Sequence, residues 1–151
     1  MLAYRLALAR YGDRLQAVGI SGRWNKKGET VIYAASSRSL CILENLVHRG
    51  KFGMGADFLL FILDIPDSLS PHTVKQKELS SSWQKADSYE ECQQIGSEWY
   101  QKALHSYMMV PSAIIPEESN IVINATHKKI ELIAIEKVSR YSIDDRLKVL
   151  I

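Results

Sequence analysis

One stretch constrains the fold more than any other. Phe58 to Ile65 reads FLLFILDI, an almost continuous apolar run, as expected of a strand covered on both faces. Its apolar core, Phe58 to Leu63, falls far short of the ~20 residues a membrane-spanning helix needs. The run therefore belongs in the interior of a globular domain. A chain of 151 residues is about one domain long and buries roughly 68–70% of its unfolded surface, which is enough for such an interior.

Composition removes several classes. With 46% hydrophobic and 24% charged residues, the chain is neither disordered, fibrous nor a disulfide scaffold. Nineteen basic against seventeen acidic residues leave a formal charge of +2, weak for a dedicated nucleic-acid binder. The opening MLAYRLALAR is too short and too charged for a secretory signal. Cys41 and Cys92 show neither Cys-x-x-Cys spacing nor a paired histidine. They read as two reduced, buried thiols of a cytoplasmic protein. No repeat or linker divides the chain, so residues 1–151 are expected to form one domain.

Around the central run, Thr30–Ala34, Tyr107–Val110, Ile121–Asn124 and Ile130–Ile135 read as further strands. Ser112–Ile115, bracketed by Pro111 and Pro116, reads as extended but not as a long central strand. A helix is expected after the capping pair Ser36-Ser37, running to about His48 with Gly50 as its stop. Leu40, Leu43 and Val47 would form its apolar stripe, with Leu46 extending it. A second helix follows Ser88, which stands three residues before Glu91 in a capping-box pattern and leads into Cys92, Ile95 and Trp99. Pro66 to Asp87 is long for a loop and is expected to hide a short helix or form a flap. Strands and helices do not alternate regularly, which favours α+β over a doubly wound sheet.

The familiar chemical signatures are missing. There is no Walker loop and no nucleophile elbow, and Gly50, Gly53 and Gly55 do not make a dinucleotide fingerprint. His48, His72, His105 and His127 have no ligand-like spacing, so no metal site is expected. What remains begins with Gly22-Arg23-Trp24-Asn25, followed by Lys26-Lys27-Gly28, which should turn the chain into the Val31–Tyr33 strand. Arg23 offers a planar fork for phosphate or carboxylate; the commonplace alternative is a surface arginine stacked on an aromatic ring. Tyr33 on an apolar strand is more often a core tyrosine with a bonded hydroxyl. Glu44, at about 100° per residue, lies roughly 40° from Leu40 and 60° from Val47 on the border of the apolar stripe. A carboxylate there must snorkel, find a partner, or sit in a pocket with a task. Ser112, between prolines and small residues, could serve a ligand or simply a turn. Asn120 and Asn124 flank a strand and read as end caps. Asp144-Asp145-Arg146 reads as a local ion-pair cluster worth little.

Taken in order, the pieces resemble the RES domain toxins of bacterial toxin–antitoxin pairs. The matching residues are Tyr4-Arg5, Gly22-Arg23-Trp24-Asn25 with Gly28, Val31-Ile32-Tyr33, and Ser39-Leu40 leading to Leu43-Glu44 and Val47-His48. They continue with Gly96 to Trp99, Val110-Pro111-Ser112-Ala113, Glu118-Ser119-Asn120, Ile123-Asn124 with His127, and Asp145-Arg146-Leu147. They span nearly the whole chain. Ser21 stands where the family has glycine, and Ala125 and Lys128 where prolines are common.

The resemblance implies a split β-core with flanking helices, similar to ADP-ribosylating toxins, that binds NAD+ without a Rossmann fingerprint. It implies Arg23, Tyr33 and Glu44 as the catalytic cluster, with Arg5, Ser112 and Asn25 binding substrate. NAD+ would be the substrate rather than a cofactor, and its nicotinamide–ribose bond would be cleaved. The acceptor would be inorganic phosphate in a phosphorylase, water in a glycohydrolase, or a protein side chain in an ADP-ribosyltransferase; phosphate is preferred because an arginine-rich site can hold it. The implied partner is a helix-turn-helix (Xre-like) antitoxin, through which alone the chain would touch DNA, with a homodimer in the complex. Two other classes compete: an inactive antitoxin-binding module and an RNA-cleaving toxin. The retained Arg23, Tyr33 and Glu44 argue against the first. The near-neutral charge and the lack of an acid–base histidine pair argue against the second.

Overall fold

The computed structural model describes residues 1–49, 57–86 and 89–148. Its centre is the predicted apolar run. Strand β3 (Phe58–Asp64) is paired antiparallel on one side with β1 (Leu2–Leu8) and on the other with β7 (Ala134–Tyr141). Both of its faces are covered: Phe61 and Leu63 join one cluster of buried side chains, Phe58 and Leu60 another. The remaining strands are β2 (Val31–Ala35), β4 (His72–Thr73), β5 (Tyr107–Pro111) and β6 (Ser119–Asn124). Together they make a seven-stranded sheet of order β4-β5-β6-β2-β1-β3-β7. It is mixed, because β4 runs parallel to β5 while the other pairs are antiparallel.

The sheet is also divided. β1 and β2 share a single registered pair, Tyr4↔Ala35, whereas β2–β6 and β1–β3 are paired along their lengths. Two halves, β4-β5-β6-β2 and β1-β3-β7, therefore splay from one joint. Strand alternation puts Ala3, Ile32, Ala34, Phe61, Ile121 and Ile123 on one face in a core common to both halves. The opposite face carries a separate cluster on each half. Leu6, Leu8, Phe58 and Leu60 meet helix α1 (Arg38–Arg49) through Leu40, Cys41 and Leu46. Val31, Met108, Val110 and Val122 meet Cys92 and Trp99 of α2 (Glu90–Lys102), with Trp24 and Trp83. The result is α+β, with helices at the flanks of a split core.

Several local expectations meet their mechanism here. Ser37 caps α1, its Oγ accepting the Leu40 amide at 3.1 Å. The Cys41 and Cys92 thiols are free and buried, and burial pushes that of Cys41 up to about 12. Gly28 turns the chain toward β2 at φ +95°. No helix among the described residues is long and apolar enough to cross a membrane.

Others are corrected. Val47 does not belong to the α1 stripe and is 58% exposed; the face of the helix that seats on the sheet carries Leu40, Cys41 and Leu46. Ile130–Ile135 is not a strand: Ile130–Leu132 is a 3-10 turn and the strand begins at Ala134. Leu2–Leu8, assigned no element from the sequence, is a strand next to the joint. The Pro66–Asp87 stretch contains β4, a 3-10 turn at Gln76–Glu78 and a turn at 81–84, tied down by buried Leu69, Val74 and Trp83. Glu91 accepts the Ser80 amide and hydroxyl, at 3.0 and 2.6 Å. Gly50, Asp87 and Ser88, assigned as helix stop, loop end and helix cap, lie outside the described residues. Asp144 and Arg146 form the expected exposed ion pair, 2.8 Å apart, across the start of the four-residue helix α3 (Asp145–Lys148).

Candidate functional site

The loop before β2 is built around Tyr33. Its hydroxyl accepts the Trp24 amide at 3.0 Å and donates to Asn25 Oδ1 at 2.9 Å. Gly22 makes room for this: a Cβ there would lie 2.7 Å from the Tyr33 hydroxyl. Asn25, fully buried, turns its Nδ2 to the carbonyls of Ile20, Lys26 and Glu29. Burial pushes the Tyr33 phenol far up, so it stays protonated. Tyr33 and Asn25 thus shape the loop that presents Arg23.

Arg23 leaves that loop toward the turn ahead of α2. Its Nη1 donates to the Trp83 and Lys85 carbonyls and its Nη2 to that of Gln84, the latter two at 3.3 and 3.2 Å. The guanidinium also lies 4.4 Å from the Tyr89 ring centroid and 6.0 Å from that of Trp83. The stacked arginine and the bonded core tyrosine, both weighed above as commonplace, are what the structure contains. The turn in its grip reaches on: Gln84 Nε2 donates to the Ala113 carbonyl at 3.2 Å, next to Ser112.

Arg5 stands where the sheet divides. Its Nη1 donates to the Tyr33 carbonyl at 2.8 Å and its Nη2 to that of Gln16 at 3.2 Å. It thereby ties the diverging β1 and β2 together with a positive charge.

Glu44 does not snorkel. Its side chain is 15% exposed, and Oε1 accepts Ser112 Oγ at 2.8 Å and Asn120 Nδ2 at 2.5 Å. Oε2 faces His48 Nε2, one helical turn on, at 3.5 Å. Burial would raise the Glu44 pKa, but the bonds from His48, Asn120 and Ser112 outweigh it and hold the group below the usual carboxylate range. It is an ionised carboxylate in a fixed orientation. Ser112 is completely buried, and its Oγ also accepts the amides of Ile114 and Ile115 at 3.1 and 3.0 Å. Its hydroxyl is thereby committed to Glu44 and to the turn closing β5 onto β6.

Two groups are therefore assembled, Arg23–Tyr33–Asn25 and Glu44–Ser112, linked through Gln84 and Ala113, with Arg5 at the joint between the sheet halves. Asn120 and His48 were not singled out as site residues in the sequence. Asn124 is the strand-end cap it was read as, its Oδ1 accepting the Thr126 amide at 2.9 Å, but Asn120 is not. The signal available in the sequence was the i,i+4 spacing of Glu44 and His48; Asn120 stands opposite Val110 of β5, a register that no local pattern shows. Among the described residues, no group of three or more His, Cys, Asp or Glu side chains is placed to hold a metal ion. What the site offers a ligand is one oriented anion and two arginines.

The RES domain family model matches residues 3–144. A Toxin Res of Yersinia enterocolitica is 33% identical over 156 aligned positions, covering 98% of this chain and all of that protein. The Prs ADP-ribosylating toxin of a Sphingobium species is 34% identical over 128 positions, covering 83% of this chain and 80% of that protein. Among solved structures, the M. tuberculosis MbcT–MbcA toxin–antitoxin complex contains a chain that superposes with a TM-score of 0.79 at 19% identity. It covers 93% of this chain and 84% of that one, a likeness of fold.

Proposed function

The chain belongs to the RES domain family, and from that premise we propose that it is the toxin of a bacterial toxin–antitoxin pair and degrades NAD+ at the nicotinamide–ribose bond, with inorganic phosphate as acceptor. The observation that carries this reading is Glu44, a mostly buried carboxylate kept ionised and oriented by Ser112 and Asn120. Nicotinamide leaves as a neutral molecule, so the ribose passes through an oxocarbenium-like cation, as in glycoside hydrolysis. A pre-oriented anion is what such a transition state requires. Matched family motifs and the ADP-ribosylating relative support the choice of substrate.

The remaining roles follow from what each group has free. Arg23 meets the pyrophosphate with charge-assisted bonds stronger than those it makes to turn carbonyls. Arg5 adds positive charge at the joint. Tyr33, its hydroxyl occupied, contributes its ring beside nicotinamide or ribose and holds the loop in shape with Asn25. Ser112 orients Glu44. In the reaction the C–N glycosidic bond breaks with its electron pair going to nicotinamide, and a phosphate oxygen forms the new bond to the ribose carbon. The solved toxin–antitoxin complex of this fold supports an antitoxin as the partner, and the family resemblance makes that antitoxin a helix-turn-helix protein, with DNA reached only through it. In this reading the protein acts in the cytoplasm, as a homodimer within the complex.

The test is phosphorus NMR and mass spectrometry of NAD+ incubated with the protein, with and without inorganic phosphate. We expect release of nicotinamide together with a phosphorylated ADP-ribose, and no turnover by Glu44→Gln. ADP-ribose formed at the same rate without phosphate would make water the acceptor, and modified protein would make it a side chain. Intact NAD+ would refute the reading.

A further inference from the structure

Glu44 has two oxygens in unlike settings. Oε1 takes hydrogen bonds from both Ser112 and Asn120, whereas among the described residues the partner of Oε2 is His48, at 3.5 Å. At 2.5 Å from a carboxylate oxygen, the Asn120 atom must be the donor end of its amide, since two acceptors would repel at that distance. The backbone behind that amide is held from both sides: Asn120 lies on β6 opposite Ala35 of β2 and Val110 of β5. Ser112, the other donor, sits at the end of β5, where its amide bonds the Glu118 carbonyl at 2.9 Å.

We propose that Asn120 is a positioning residue for Glu44: its strand-fixed carboxamide locks Oε1 and so makes Oε2 the oxygen presented to the ribose. This rests on the reading of Glu44 given above. Among the described residues, the titratable or charged groups nearest Glu44 are few. On α1 these are His48 and Cys41, the thiol neutral through burial. On β1, Arg5 is bonded to the Tyr33 and Gln16 carbonyls. In the β5–β6 turn, Glu118 accepts Ser37 Oγ at 2.7 Å. Removing Asn120 therefore acts on Glu44 without removing a charge.

The experiment has two arms. In the first, the free protein labelled with carbon-13 in its glutamate carboxyls is titrated by NMR, with Glu44→Gln assigning the resonance. Loss of a hydrogen bond to a charged group should raise the Glu44 pKa in Asn120→Ala by about one pH unit; an unchanged titration overturns the proposal. In the second arm, NAD+ consumption by Asn120→Ala should show kcat down about tenfold or more with KM little changed. A raised KM with kcat intact would make Asn120 a substrate-binding group instead and overturn it. Should Asn120→Ala not fold, Asn120→Ser keeps the strand pairing while shortening the donor, and is read in the same way. If the wild-type protein leaves NAD+ intact, the proposed function fails, and the titration still decides whether Asn120 fixes Glu44.

Discussion

Helix α2 is seated on the loop that carries Arg23 through Gly96, and Gly96→Ala tests that joint. A Cβ at this position would lie 1.8 Å from the Trp24 carbonyl oxygen, 2.7 Å from its carbon and 3.3 Å from Trp24 Cα. The first of these is roughly 1.5 Å short of ordinary van der Waals contact. Both partners are backbone, so no rotamer change relieves the overlap; α2 or the loop must move. The loop is held by the Trp24 amide on the Tyr33 hydroxyl and by the buried Trp24 side chain, whose ring lies 6.4 Å from that of Trp83.

Overpacking of this kind costs typically ~1–3 kcal/mol, and rigid backbone on both sides puts it at the upper end. Alanine recovers about 1 kcal/mol through helix propensity. The net loss is then about 2 kcal/mol, which for a chain of this size lowers Tm by about 4–8 °C. Thermal unfolding followed by circular dichroism reads this directly. Gln101→Ala, on the exposed side of the same helix, serves as the propensity control and should not fall. A Gly96→Ala protein melting at or above the wild-type temperature would refute the argument that α2 and the Arg23 loop are in backbone contact. Below its melting range the variant should also consume NAD+ more slowly, because any shift of Trp24 carries its neighbour Arg23 with it.

Two further outcomes follow from the site. Arg23→Lys keeps the charge but not the fork that reaches three carbonyls, so the 83–85 turn should loosen. Hydrogen exchange should quicken at the Trp83 and Lys85 amides, which bond the carbonyls of Ser80 and Ser82, and unchanged protection would contradict the role of Arg23 as the anchor of this turn. Glu44 also gives folding a pH dependence of known sign. Its folded pKa is lowered, so the stabilisation is fully present above the unfolded value of about 4.3 and is lost as pH falls through the folded value. Urea midpoints measured from neutral pH downward should therefore decline less steeply in Glu44→Gln than in the wild type; parallel curves would mean that the carboxylate is not stabilised by folding.

What could be read from residues alone was what depends on near neighbours. FLLFILDI announced a strand covered on both faces because burial on two sides leaves no polar residue before Asp64, at its exposed end. Ser37 announced a cap because its partner amide is three residues away. β1 gave no such sign: Ala3, Arg5 and Ala7 alternate with Tyr4, Leu6 and Leu8, so neither face looks polar and the arginine reads as surface. Its meaning appears only when β1 leaves β2 after one registered pair and the Tyr33 carbonyl is left for Arg5 to satisfy. β7 carries no alternation to mark its bounds, because an exposed edge strand has no core to impose one on AIEKVSRY.

The site residues divide along the same line. Arg23, Tyr33 and Glu44 were found through an ordered resemblance, yet the partners that define their chemistry lie 60, 8 and 76 residues away, at Trp83, Asn25 and Asn120. The last of these distances is spanned by register. The pairing of β6 with β2 and β5 brings Asn120 beside Ala35 and Val110, and Ser37 then starts α1 so that Glu44, two turns on, descends onto Asn120 and Ser112. A one-residue slip of β6 would turn Asn120 to the other face of the sheet and leave Glu44 with one donor fewer in a mostly buried position. The same register that closes the core around Ile121 and Ile123 therefore decides whether this carboxylate is oriented, so the catalytic geometry proposed here is a consequence of strand pairing rather than of any local motif.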